Sequence, residues 1–270
     1  MLFTHSFYDP IREDSLRGLF LYICPHKKIR VHCEDTMIST VVIMAAGRGS
    51  RMKELTTDKP KHLLPVLGRP FLDYLLERLR EAGFTDIIVL IGHHSEAFEM
   101  YKGVPDVRMV IQQRFHERYG TAAAIENVKI AVGDKPFAVI AGDNLYSVND
   151  LKKLRNESDQ MLIGGFRTQQ WQGMGILKQK EDGTLDQIIE KPADFVGDLI
   201  NASLYRFTPA IFPIIEKLPP SPRGEYEITD AINQVAKTEP VEVAVLEDRW
   251  LDLTAPSDIP KIEAALTTPR

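Results

Sequence analysis

The sequence predicts an α/β protein: a mostly parallel, twisted sheet flanked by helices, with an inserted region of mixed strands. Three observations carry this. Short β-branched apolar runs alternate with helix-period segments from Thr40 to about Arg155. The first run, Thr40–Ala46, empties into a glycine-bearing loop, Gly47-Arg-Gly49, as a strand of a parallel sheet does beside a ligand. Beyond residue 160 the runs are separated by turn residues such as Glu181-Asp-Gly183 instead of helices.

Each element follows from its pattern. Strand 40–46 leads into a long loop to about Gly68. A helix is expected from Pro70 through Glu81, with Phe71, Tyr74, Leu75 and Leu79 on one face and Gly83 just past its end. Strand 86–92, a short helix 95–102 and strand 107–112 come next. Residues 121–132 read as one helix, 137–141 as a strand and 148–155 as another short helix. The mixed region holds strands 161–166, 173–179, 185–190 and 199–206.

Residues 1–36 read as an N-terminal extension, poorly ordered, ahead of a single domain 37–270. They hold both cysteines, Cys24 and Cys33, and three of the seven histidines. Acidic Asp9, Glu13 and Asp14 precede the only apolar run there, the wrong charge order for a secretory signal. Cys24, His26, His32 and Cys33 are zinc-type ligands, but their spacing matches no standard finger.

Composition removes several function classes. The 270 residues are 44% hydrophobic and 26% charged, with a mean hydropathy of −0.17, which excludes a disordered chain. A net charge of −5 argues against a nucleic-acid partner. Apolar runs such as Ile87–Gly92 are strand-sized, so no membrane partner is expected. Two cysteines make no disulfide framework, and a cytoplasmic location is the expectation.

The chemistry begins at Gly47-Arg-Gly49-Ser-Arg51-Met52. Glycines let backbone N–H groups approach an anion closely. A dinucleotide fingerprint needs a third glycine where Met52 stands, and a Walker loop needs Gly-Lys-Ser/Thr, which is absent. Arg51 and the downstream Pro60-Lys61 are instead placed to stabilise polyphosphate charge during transfer. Asp143, at the carboxyl end of strand 137–141, sits where open α/β sheets bind ligands.

The segments Val41-Val-Ile-Met-Ala-Ala-Gly-Arg-Gly-Ser-Arg-Met52 and Thr57-Asp-Lys-Pro-Lys-His-Leu-Leu-Pro-Val66 resemble the signature of sugar-1-phosphate nucleotidylyltransferases. The resemblance runs from about Met37 to Asp258. It implies a Rossmann-like nucleotide-diphospho-sugar transferase fold that joins a nucleoside triphosphate to a sugar 1-phosphate, releasing pyrophosphate with Mg²⁺ assistance. It implies that Ala46, Gly47, Gly49 and Arg51 wrap the triphosphate and that Arg51 and Lys61 offset charge at the reacting phosphates. Gln112 or Gln113, with Gly120 and Thr121, would read the base; an amide presents a donor and an acceptor together, which suits a pyrimidine edge. Asp143 and Asp252 would hold the metal. Gly175, Glu190, Lys191 and Asn201 would bind the sugar phosphate, and Ser203 stands where the family often has glycine. Arg223–Asp230 matches a family segment read as scaffold.

UTP or dTTP with glucose 1-phosphate is the favoured pair. Alternatives are a mannose-1-phosphate guanylyltransferase, an N-acetylglucosamine-1-phosphate uridylyltransferase, a cytidylyltransferase, or a non-enzymatic nucleotide-sugar-binding module. The last is disfavoured because Arg51, Lys61 and Asp143 are all present. With the chain ending at Arg270, no C-terminal β-helix is expected.

Overall fold

The computed structural model describes residues 37–268 apart from Arg48, residues 114–116 and Glu157, and excludes the side chains of Ser50 and Lys53. The extension 1–36 and its Cys/His group lie outside the described residues. Strand β1 (Thr40–Ala45) is central, and a loop of two 3₁₀ turns and a small hairpin, β2 (Pro65–Val66) and β3 (Arg69–Pro70), follows it. Helix α1 (Phe71–Ala82) buries Leu72, Leu75, Leu76 and Leu79. It stops at Gly83, whose φ of 97° lets its N–H and that of Phe84 return to Arg80 and Leu79 carbonyls. Strands β4 (Asp86–Ile91) and β5 (Val107–Ile111) then add in parallel on one side of β1.

The helix expected over 121–132 is two: α2 (Thr121–Glu126) and α3 (Lys129–Val132). Asn127 breaks it. Its Nδ2 donates to the Ala123 carbonyl at 2.7 Å while its Oδ1 accepts from the Gln113 N–H at 2.8 Å. A short amide side chain here competes with the helix ladder and fixes the chain leaving β5.

Strand β6 (Phe137–Ala141) returns to the other side of β1, again parallel. The strand order therefore reverses between β4 and β6 around β1, which is where open α/β sheets bind ligands. Beyond β7 (Asn144–Leu145) and α4 (Val148–Lys153) the strands turn mixed: β8 (Leu162–Arg167), β9 (Gly175–Gln179), β10 (Leu185–Glu190) and the long β11 (Leu199–Phe207), antiparallel to β6. Helices α5 (Ile211–Lys217) and α6 (Ile228–Ala236), strand β12 (Glu242–Val245), strand β13 (Leu251–Asp252) and helix α7 (Ile259–Thr267) complete the described chain.

Alternation along β1 divides the core. Val42 faces one apolar cluster with Val139 and Phe137, while Val41 and Ile43 face another with Leu75 and Ile140. A third cluster joins Met52 and Leu64 of the loop after β1 to Leu145, Leu253 and Ile262. That small core ties the Arg51–Lys61 loop to the segment carrying Asp252. Among the described residues no helix is long and apolar enough to cross a membrane.

Candidate active site

A cavity of about 280 Å³ opens at the carboxyl ends of β1 and β6. Its walls include Ala46, Gly47, Lys61, Gln112, Gly120, Thr121 and Asp143, seven of the residues singled out from sequence. Gly142 explains how β1 and β6 meet there. Its N–H bonds the Met44 carbonyl at 3.0 Å, and a Cβ would lie 2.7 Å from that same oxygen.

Lys61 and Asp143 form an ion pair, their side chains 13% and 21% exposed. Burial pushes the Asp143 carboxyl up, but the Lys61 ammonium outweighs it and holds the group below its usual range. Asp252 arrives through the pairing of β13 with β7, which sets it opposite Asn144, while the Leu253 N–H bonds the Asp143 carbonyl at 2.8 Å. Burial first, and the Asp143 charge second, push Asp252 up to about 6. Asn144 is buried between them; turned to satisfy its neighbours, its Nδ2 donates to Asp252 Oδ1 and its Oδ1 accepts from Trp250 Nε1, both at 3.1 Å.

Two carboxylates converge here against one lysine, and the Asp143 charge adds to burial in raising Asp252. An anionic, all-oxygen donor pair of this kind fits a hard divalent cation that keeps waters and takes further ligands from phosphates. Among the described residues no group of three or more His, Cys, Asp or Glu forms a protein-only metal cage. Arg51 is exposed on the 3₁₀ turn after Gly49, and its charge reaches Asp252. Gly49 has φ 63°, and a Cβ there would meet the Lys61 side chain at 3.4 Å.

The structure separates the two glutamines. Gln112 is 7% exposed and lines the cavity, whereas Gln113 is exposed and returns its Nε2 to the Ile111 carbonyl at 3.4 Å. Gly120 has φ 129°, and a Cβ would sit 2.6 Å from the Tyr226 nitrogen. The Tyr226 N–H bonds the Tyr119 carbonyl and its own carbonyl accepts from Ala122 N–H, each at 2.8 Å.

Gly175, Glu190 and Asn201 form a second group on β9, β10 and β11, with Lys191 just past the end of β10. A Cβ on Gly175 would approach Glu190 Oε2 to 2.9 Å and Asn201 Cβ to 3.7 Å. Burial raises the Glu190 carboxyl, with Arg223 opposing. Arg223, read from sequence as scaffold, pairs with Glu190 at 3.5 Å and with Glu227. Sequence reasoning also missed Glu225, which lines the cavity. The signal available was the Arg-Gly-Glu run at a turn before an amphipathic helix.

Charge gathered at the carboxyl ends of parallel strands is what transfer of a phosphate-bearing group requires. The whole described domain matches one family in this class: the chain belongs to the nucleotidyl transferase family, which matches residues 40–268. It is 30% identical over 236 residues to the UTP–glucose-1-phosphate uridylyltransferase AglF of Haloferax volcanii, covering 83% of this chain and 95% of the relative. A bifunctional sugar-1-phosphate nucleotidylyltransferase/acetyltransferase of Sulfurisphaera tokodaii is 33% identical over 219 residues, which cover 80% of this chain and 53% of that protein. The chain thus spans about half of that relative's length. In fold it is similar to a UDP-glucose pyrophosphorylase solved with UDP-glucose, at TM-score 0.73 and 22% identity over 85% of this chain and 98% of that one. The Acinetobacter baumanii UDP-glucose pyrophosphorylase gives 0.69 at 22% identity, over 85% and 93%. The family resemblance read from the sequence and the α/β fold it implied both stand.

Proposed function

We propose that the chain transfers a nucleotidyl group from a nucleoside triphosphate, UTP or dTTP favoured, to a sugar 1-phosphate, glucose 1-phosphate favoured. The observation that carries this is the meeting of Lys61, Asp143 and Asp252 beside a cavity walled by Gly47, Gln112 and Gly120. The uridylyltransferase relative supports the choice of substrates.

On this reading Gln112, Gly120 and Thr121 hold the base, and the Gly47–Gly49 backbone holds the triphosphate. Gly175, Glu190, Lys191 and Arg223 hold the sugar phosphate. A phosphate oxygen of the acceptor attacks the α-phosphorus; that P–O bond forms as the bond to the β-phosphate oxygen breaks, and pyrophosphate leaves. The acceptor phosphate, with a second pKa of about 6, is largely ionised near neutral pH and needs no strong general base. Lys61 and Arg51 offset charge that redistributes over the phosphates. Asp143 and Asp252 would hold Mg²⁺, which when bound adds charge stabilisation at the phosphates.

Five triphosphates (ATP, GTP, CTP, UTP and dTTP), each paired with glucose, mannose and N-acetylglucosamine 1-phosphates and read by pyrophosphate release, test this. Highest kcat/KM for UTP or dTTP with glucose 1-phosphate is expected. Release that does not depend on any sugar phosphate would overturn the reading.

A further inference from the structure

A side chain in the left-handed region carries a steric cost that glycine avoids. Among the described residues four non-glycine residues lie there: Leu67, His94, Lys191 and Ser203. Leu67 precedes Gly68 in the turn joining β2 to β3, and His94 starts a 3₁₀ turn. Turns of this sort use positive φ routinely. Ser203 is different. It lies inside β11, with φ 53°, where the pairing with β8 shifts register between Asn201 and Tyr205.

The surroundings over-determine that conformation. The Ser203 N–H donates to Asn201 Oδ1 at 2.9 Å, and the Ser203 carbonyl accepts from the buried Tyr146 hydroxyl at 2.9 Å. Asn201 Nδ2 donates in turn to the Tyr205 hydroxyl at 2.9 Å. Both polar ends of Asn201, which the sequence assigned to the sugar, are therefore engaged within the bulge. What the bulge delivers to the wall of the cavity is residue 203, in company with Lys61, Asp143 and Glu225. Glycine would take this backbone geometry without strain. A serine stands there; its side chain hydrogen-bonds the Tyr205 hydroxyl, and a hydroxyl that both donates and accepts keeps capacity for a second partner. Strain retained at a cavity wall points to a use for the side chain that carries it.

The neighbours say which substrate. The base-side residues Gln112, Gly120 and Thr121 lie after β5 and at the start of α2. Ser203 lies on β11, two residues from Asn201, whose Cβ is the neighbour of Gly175 and Glu190. It lines the cavity together with Asp143 and lies on the same strand as Asn201 of the acceptor group. We infer that Ser203 is a specificity-determining residue whose hydroxyl hydrogen-bonds a hydroxyl of the acceptor sugar. This rests on the sugar 1-phosphate reading above.

The test pairs Ser203→Gly and Ser203→Ala with glucose 1-phosphate and its 2-, 3-, 4- and 6-deoxy analogues, using UTP. One lost hydrogen bond corresponds to about a tenfold fall in kcat/KM for the parent acceptor. For one deoxy analogue the wild-type and variant values should coincide, because the partner hydroxyl is already gone. UTP affinity should not change in either variant. The Tm of Ser203→Gly should hold or rise by about 2–4 °C, while Ser203→Ala loses the same activity without that gain. A fall of equal size for all five acceptors, or no fall for the parent, would overturn the inference while leaving the enzyme reading intact. Failure of the wild type to use any of the five acceptors would overturn the acceptor reading and this inference together.

Discussion

On the side of the cleft proposed to hold the nucleotide the groups are largely backbone; on the side proposed to hold the acceptor they are largely side chains. Gly47 and Gly120 bring main chain to the cavity, and at Gly120 and Gly142 a Cβ would collide with neighbouring main chain. Across the cleft, Glu190, Lys191 and Arg223 form a charged group, and Lys191 and Ser203 hold positive φ without being glycine. On the proposed reading the difference follows from the ligands. A polyphosphate is read by close N–H groups and fixed charge, whereas sugar hydroxyls are directional and need side-chain donors and acceptors placed one by one. Asp143 and Lys61 stand at the seam.

The largest effect is expected at that seam. Asp143→Ala should abolish turnover while the chain stays folded, because it removes half of the carboxylate pair and leaves Lys61 without its partner. Asp252→Ala should do the same, and EDTA should reproduce both losses in the wild type. Full activity in EDTA, or turnover by Asp143→Ala in Mg²⁺, would show that the pair does not serve a metal.

The two lysines should then separate the two sides. Loss of a buried charge-assisted contact costs about 2–3 kcal/mol, roughly 30- to 150-fold in kcat/KM. Lys61→Ala should slow the single-turnover step, since its charge acts where phosphate charge redistributes. Lys191→Ala should raise KM for the sugar phosphate and leave UTP affinity, measured by calorimetry, unchanged. Lys191 is half exposed, so its effect belongs at the lower end of the range. Equal loss of UTP binding in both variants would erase the division.

A smaller, sharper comparison uses two glycines. Gly120→Ala meets the Tyr226 main chain and cannot relax by moving a side chain, so it should destabilise by more than about 1 kcal/mol, or roughly 2–4 °C in Tm. Gly175→Ala meets the Glu190 carboxylate, the end of a flexible side chain. Its Tm should barely move while KM for the acceptor rises. A Tm loss at Gly175→Ala matching that at Gly120→Ala would mean that the acceptor side is as rigid as the nucleotide side.

Much of this was legible in the sequence because it depends on local patterns. β1, α1, β4 and β6 follow from apolar runs and a C-terminal glycine, and the Gly47–Lys61 loop from residue types at close spacing. Three features were not legible. The break at Asn127 depends on a bond to the Gln113 backbone that only the fold creates. The choice between Gln112 and Gln113 depends on which face of the chain after β5 meets the cavity. Arg223 reads as part of a turn until α6 brings it to Glu190. Each depends on contacts distant in sequence, where a pattern along the chain carries no information.

The last contrast concerns His62, next to Lys61 and 1% exposed. Among the described residues its Nδ1 has no hydrogen-bond partner, and its ring lies 6.5 Å from that of Phe98. Burial, reinforced by the Lys61 charge and opposed by Asp143, pushes its pKa from 6.5 down to about 3. The imidazole is therefore neutral in the folded chain across the range where an unfolded histidine gains a proton. Between pH 6.5 and 3 the unfolded state binds the extra proton, so stability falls as pH falls through that window and is fully present above it. The slope from this one group is at most about 1.4 kcal/mol per pH unit. Carboxylates add their own pH dependence, Asp252 near 6 and ordinary ones below about pH 5, so the measurement is a difference: urea unfolding of wild type and His62→Gln at half-unit steps from pH 7 to 5. Wild type should lose stability relative to the variant as pH drops below 6.5. Parallel profiles would mean that the imidazole is protonated or solvated in the folded state, and that the nucleotide side of the cleft is wetter than its packing indicates.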